Sequence, residues 1–262
     1  MDQKSNAMSI TSDAELQAMM KISEVVGLTL KKMREHAAPG MSTKELDAYG
    51  GKILKELGAN SAPKLTYGFP GWTCISLNNE IAHGIPSHKN ILKEGDLVNI
   101  DVSAELNGYW ADNGGSFVLG EDLNKHKPLV DASKQILYKA IQQIKGGVRI
   151  ADIGRLIESE AKEAGYTVIR NLVGHGIGRS LHESPREIPC FYDSSNKNIF
   201  KTNSVVAVET FISTAAAYAH EQDDGWTLVA KDGSYVAQHE HTILITDEKP
   251  VILTEVNGIW ND

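Results

Sequence analysis

Over 12–36, apolar side chains return every third or fourth position. Leu16, Met19, Met20, Ile22, Val26, Leu28 and Met33 form one broad stripe, which predicts an amphipathic helix. A second helix is predicted within "GMSTKELDAYGGKILKELG", where Ser42 and Glu45 have capping-box spacing and Gly58 closes the run. The period then changes to two. "WTCISLNNEIAHGIP" reads as strand, and in "GDLVNIDVSAELNGYWADNGG" the residues Val98, Ile100 and Val102 alternate with Asn99, Asp101 and Ser103. Helical spacing returns over 127–145 and 149–165, the latter ended by Gly165. Strand-like "TVIRNLVGHGIGRSLHESP", "NSVVAVETFIST" and "WTLVAKDGSYVAQHEHTILIT" follow, with a strand-like tail. The order is helices, strands, helices, strands, a rough twofold repetition of one α+β unit.

Asn107-Gly108 is a strong signal for a two-residue hairpin, because a type I′ turn needs positive φ at both positions. That turn places Asp112 opposite Ser103 and on the same face as Asp101. The two acids are then diagonal neighbours, with Cα atoms roughly 7–8 Å apart. Carboxylates held so close repel each other unless a proton or a cation lies between them. An exposed acidic hairpin face is the plain alternative for this pair alone.

Length and composition narrow the classes. The 262 residues carry no linker or low-complexity tract, and at 41% hydrophobic they can bury a sizeable core. "SNA" ahead of Met8 marks 1–7 as a cloning remnant and leaves 8–262 as a single domain. A net charge of −8 with no basic patch argues against nucleic acid as a partner. No apolar stretch approaches a membrane span. Two cysteines, Cys74 and Cys190, make no disulfide framework, which suits a reducing cytoplasm.

Further acids lie in apolar strands. Glu209 follows "VVAV", and Glu240 shares a face with Gln238 and Thr242, while His239 and His241 fall on the opposite face and read as structural. A lone strand acid is usually solvated. Four of them in two halves of the chain are harder to leave without cations. His175 lies between glycines that would let backbone approach a metal or substrate, with His182 seven residues on and His83 before a Gly and a Pro. A lone histidine is more often structural. "HESP" and "HEHT" are not HExxH, "GHGIG" is not GxGxxG, and no GxSxG occurs. Cys74 in "GWTCISL" reads as a packed thiol rather than a nucleophile. Oxygen-rich ligands with one imidazole fit a dinuclear divalent site better than a structural zinc.

Asp101, Asp112, His175, Glu209 and Glu240, in that order and at these intervals, resemble the five metal ligands of type I methionine aminopeptidases. "NNEIAHGIPS", "GDLVNIDVS", "GHGIGRSLHE" and "AQHEHTI" match family segments, and the likeness runs from about Thr11 to the C-terminal tail. The resemblance implies the pita-bread fold, two αβ halves about a pseudo-twofold axis, and two divalent ions (Co, Mn, Fe, Zn or Ni). It implies removal of N-terminal methionine before a small second residue, by a metal-bridging hydroxide. Asp101 would chelate one ion, Asp112 and Glu240 would bridge both, and His175 and Glu209 would complete the other shell. Glu209 would also shuttle a proton, His182 would bond the peptide carbonyl, and His83 would contact the scissile nitrogen. Phe69, Cys74, Leu181 and Trp226 are the candidates for the methionine pocket. The partner implied is a nascent polypeptide, with the ribosome as a setting, and the protein is expected to be a cytoplasmic monomer.

Three departures stand out. Thr210 follows Glu209 where the family usually has Pro, Asn113 follows Asp112 where Thr is usual, and Thr66 stands where an aromatic residue is common. The competing readings are a proline-specific peptidase of the same fold, which would carry a large extra N-terminal domain, and a metal-free binding module, which would have lost ligands.

Overall fold

The structure, a computed structural model, describes residues 10–261. The stretch 1–7 read as a remnant lies outside the described residues. The helices are α1 (Asp13–His36), α2 (Thr43–Glu56), α3 (Ala62–Tyr67), α4 (Lys127–Gln143) and α5 (Ile150–Glu163). The strands are β1 (Asn60–Ser61), β2 (Cys74–Leu77), β3 (Glu80–Ala82), β4 (Leu97–Leu106), β5 (Tyr109–Val118), β6 (Thr167–Val168), β7 (Val173–Gly176), β8 (Glu183–Pro189), β9 (Val205–Ser213), β10 (His220–Glu221), β11 (Leu228–Val229), β12 (Val236–Leu244) and β13 (Val251–Ile252).

Local signals set the helix ends. Ser12 caps α1 by accepting from the Glu15 N–H, and Ser42 with Glu45 forms the complete capping box of α2. Gly58 and Gly165 follow α2 and α5 with φ of +79° and +83°, the left-handed backbone that glycine adopts without penalty. The predicted helices 127–145 and 149–165 are each slightly shorter in the structure. Arg149 is an extended cap rather than a helical residue.

The central sheet runs β1-β4-β5-β12-β9-β7-β8, with β2 beside β4, β6 beside β9 and β13 beside β12; all pairs are antiparallel. The hairpin of β4 and β5 keeps one register from Leu97↔Val118 to Leu106↔Tyr109, so Ser103 faces Asp112 as the turn predicts. Asn107 and Gly108 both have positive φ, 54° and 82°. No bulge interrupts the ladder.

Helix α1 packs on β4 and β5, and α4 packs on β9 and β12. The two halves meet where His239 of β12 pairs with Gly115 of β5. On the helix side Leu30, Met33, Ile100, Val102, Ile136, Leu137, Val206 and Val208 join one buried cluster that crosses both halves. Each such side chain stabilises the fold by about 1.5–3 kcal/mol relative to exposure. The apolar helix side forces the alternate positions, Asp101 and Glu209 among them, to the opposite face.

One expectation needs correction, and one element is new. "WTCISLNNEIAHGIP" is not one strand: β2 starts at Cys74, and Asn78, with φ of 57°, turns the chain into β3. The short helix α3 lies in a stretch to which the sequence pattern assigns no element. It is capped by Ser61, carries Pro63 in its first turn, and ends at Gly68 in the left-handed region.

Candidate active site

The five candidate ligands come one from each of five neighbouring strands. Asp101 lies on β4, Asp112 on β5, Glu240 on β12, Glu209 on β9 and His175 on β7, which is the order of the strands across the sheet. Register does the rest. Asp112 is diagonal to Asp101, Glu240 pairs directly with Glu209, and His175 pairs with Ala207, two residues from Glu209. All five line one cavity of about 560 Å³.

Donor atoms of Asp112, His175 and Glu240 lie within 4.8 Å of one another, and all three residues are buried. His175 Nε2 is 4.0 Å from Asp112 Oδ2. His175 Nδ1 is 3.0 Å from the Gly176 carbonyl, a contact in which the ring nitrogen donates, so its proton sits there and Nε2 is left as a lone pair facing the acids. The flanking glycines serve the strands rather than a ligand. A Cβ at Gly174 would stand 2.5 Å from the Ala207 carbonyl oxygen, and one at Gly176 would stand 2.4 Å from that of Ser184. The expectation that they open the backbone to a metal or substrate is corrected to close approach between β7 and its neighbours.

The electrostatics are those of negative charge confined without counter-charge. Burial lifts Asp101 to about 6. Burial, then the Asp101 charge, lifts Glu209 to about 8. Asp112 and Glu240 are pushed well above the carboxylate range by burial and by the neighbouring acids. Burial, with His182 nearby, lowers His175 to about 3. Asp112 Oδ1 is buried with no hydrogen-bond partner among the described residues. An orphaned carboxylate oxygen beside three more acids and an unprotonated imidazole nitrogen is the donor set that a hard or borderline divalent cation satisfies.

Gln238 is a residue the sequence reading left without a role. Its Nε2 donates to Glu240 Oε2 at 3.1 Å and to Glu209 Oε2 at 3.4 Å, and its Oε1 accepts from Asn99 Nδ2 at 2.8 Å. Gly114 makes room for it, since a Cβ there would meet Gln238 Oε1 at 2.4 Å. Its place on the Glu240 face was the available signal. His239 and His241 point to the helix side, where His239 contacts Ser133 Oγ at 2.9 Å and the Ser116 carbonyl at 3.0 Å.

Two of the departures, Thr210 and Asn113, lie on that same far side, while Thr66 is an exposed residue of α3. Thr210 is buried against Ser133, 3.2 Å between hydroxyls. Asn113 donates to the Val102 carbonyl at 3.0 Å and accepts from Asn257 at 3.0 Å. Both polar side chains are therefore satisfied behind the strands that carry the candidate ligands.

His83 and His182 line the mouth of the cavity. His83 has a left-handed backbone, φ of 55°, and desolvation lowers its pKa although its ring reaches solvent. The His182 ring packs 4.1 Å from that of His175, and its Nδ1 lies 2.7 Å from the hydroxyl of Tyr67. Desolvation and then His83 lower its pKa. Phe69, Cys74 and Leu181 are buried in the cavity wall, and Trp226 closes over Phe69 edge to face at 5.2 Å between centroids. Burial, with Asp101 and Asp112 close by, raises the Cys74 thiol well above its usual range, so it is a packed thiol and not a thiolate.

The family model for metallopeptidase family M24 matches residues 17–247. The chain is 51% identical to methionine aminopeptidase 2 of Bacillus subtilis (strain 168), over 95% of this chain and 100% of that one. The crystal structure of methionine aminopeptidase from Thermotoga maritima superposes with a TM-score of 0.89 at 35% identity, covering 94% of this chain and 99% of that one. A looser likeness, to prolidase from Pyrococcus furiosus, has a TM-score of 0.74 at 21% identity and covers 93% of this chain and 64% of that one. It shows the shared pita-bread fold alone.

Proposed function

The chain belongs to metallopeptidase family M24, and from that premise we propose that it removes the N-terminal methionine from peptides and nascent proteins whose second residue is small. The observation that carries the reading is the convergence of Asp112, His175 and Glu240 donor atoms within 4.8 Å in a cavity with apolar walls. The reading is of the type I branch, because His175 and Glu209 are joined by β8 and connecting loops with no inserted subdomain.

Asp101, Asp112, His175, Glu209 and Glu240 would hold divalent ions, two of them by resemblance. Such ions, when bound, supply Lewis acidity and lower the pKa of water toward neutrality. Glu209 takes the proton of the attacking water and returns it to the leaving amine. In the metal-free chain, burial and the Asp101 charge raise the proton affinity of its carboxyl. His182 donates to the peptide carbonyl oxygen as negative charge develops there. His83 contacts the scissile nitrogen. The free amine lies toward Asp101, which restricts cleavage to the first residue.

Phe69, Cys74, Leu181 and Trp226 receive the methionine side chain. Its polarizable thioether gains from the edge-to-face aromatic pair. No helix among the described residues is long and apolar enough to cross a membrane. With unpaired cysteines, the setting proposed is the cytoplasm, and the active unit proposed is a monomer.

Metal-free protein given a Met-Ala-initiated peptide and Co(II), Mn(II), Fe(II), Zn(II) or Ni(II) tests the reading. Free methionine is the expected product. Folded protein that releases none with any metal overturns it, and faster cleavage of X-Pro peptides would move it to the proline-specific branch.

A further inference from the structure

Tyr67 is the last residue of α3 and is half exposed, yet its hydroxyl is committed to one contact, the 2.7 Å approach to His182 Nδ1. The left-handed Gly68 ends the helix there, and both Tyr67 and His182 line the cavity. The loop carrying His182 is held independently. Glu183 Oε1 accepts the N–H groups of Arg179 and Ser180 at 2.7 and 2.9 Å, and Ser180 Oγ donates to the His182 carbonyl at 2.9 Å. With the backbone fixed, the remaining freedom of His182 is its ring orientation and the location of its proton.

We propose that Tyr67 is a positioning residue that donates its O–H to His182 Nδ1 and so keeps the histidine proton on Nε2. A neutral imidazole has one N–H; if Nδ1 accepts, Nε2 must donate. The alternative arrangement, Nδ1–H donating to the phenol, would aim an Nε2 lone pair at the substrate and repel a carbonyl oxygen gaining charge. A phenol suits this role because it stays protonated at neutral pH, and both burial and the Asp112 charge hold it so. The inference rests on the peptidase reading for its catalytic consequence, but the proton location does not depend on that reading.

The test uses Tyr67→Phe, which removes one oxygen from a half-exposed ring and leaves the fold. Long-range 1H–15N spectra of the metal-free protein, assigned with His182→Gln, report which nitrogen carries the proton. The expectation is an Nε2–H tautomer in the wild-type protein and a mixture in Tyr67→Phe. On the metal-loaded enzyme with a Met-Ala peptide, kcat should fall about tenfold, the size of one lost hydrogen bond in the transition state, with KM little changed. Both readouts must move: a Phe variant that retains either the tautomer or the turnover overturns the inference, as does a wild-type His182 protonated at Nδ1. Absence of methionine release by the wild-type enzyme is a failure of the proposed function instead, and the spectra then decide this point alone.

Discussion

Glu209 and Glu240 stand directly opposite each other in the β9–β12 ladder, and Gln238, two residues from Glu240, donates to both carboxylates from one Nε2. One neutral amide thus spans two acids that would otherwise repel. The pair is ordered before any cation arrives, and each acid keeps a second oxygen for one.

Replacement of Glu209 should separate chemistry from folding. In Glu209→Gln the new amide oxygen can still accept from Gln238, but it cannot carry a proton. Methionine release should fall ~10²–10⁴-fold, the usual worth of a positioned acid–base group. The thermal midpoint of the metal-free protein should hold or rise, because one source of repulsion is gone. Steady-state turnover beside a thermal melt checks both; unchanged turnover removes Glu209 from the mechanism.

The Gln238 bridge should show in metal affinity. Gln238→Ala leaves Glu209 and Glu240 free to separate, and loss of such supporting groups typically costs about 10–100-fold in binding. Titration calorimetry with Mn(II) on wild-type and variant protein measures it. Equal affinities would mean that the ladder alone holds the two acids.

Metal-free protein should lose stability as pH rises. Burial lifts Asp101 from 3.8 to about 6 and Glu209 from 4.5 to about 8, so above the lower values the folded chain holds protons that the unfolded chain has released. Their contribution is complete at acid pH and is lost through about 6 and then about 8, with a slope of up to ~1.4 kcal/mol per pH unit for each group. Urea midpoints of chelator-treated protein at pH 5 and pH 8 should therefore differ, with the higher value at pH 5. Mn(II) should restore the midpoint at pH 8, since binding favours the folded state.

His241 should produce the opposite slope. Burial holds it near the C-terminal segment at a pKa of about 3 instead of 6.5, with Nδ1 on Thr254 Oγ1 at 2.8 Å and its ring on Trp260 at 4.8 Å. The folded chain keeps it neutral, and the unfolded chain protonates it below 6.5. Its contribution is complete above that value and declines as pH falls, by up to ~1.4 kcal/mol per unit. His241→Gln should flatten the acid side of a urea-midpoint profile between pH 7 and pH 4, even if it is less stable at pH 7.

What the chain discloses follows the range of the forces involved. The Asn107-Gly108 turn fixes its own hairpin, so the diagonal of Asp101 and Asp112 could be read from one local signal and a period of two. The faces of β12 were legible for the same reason, with Glu240 toward the cavity and His239 and His241 away from it. Helix α3 was not, because six residues that include Pro63, Thr66 and Tyr67 present no periodic stripe and depend on caps at both ends. The two-residue strand β10 has no pattern of its own and exists only through its pairing with β11, which in turn pairs with β3, far away in sequence. Gln238 was placed on the correct face, but its service to two acids depends on the β9–β12 register and on the space left by Gly114, neither of which has a local signature.

Alternation along β12 sets a limit on how this protein can change. One residue added or removed between Val236 and Leu244 would swap the two sides of that strand at a stroke, sending an acid among the helices and two imidazoles into the catalytic hollow. Length variation across relatives is therefore tolerable at the bends between strands and ruinous within them.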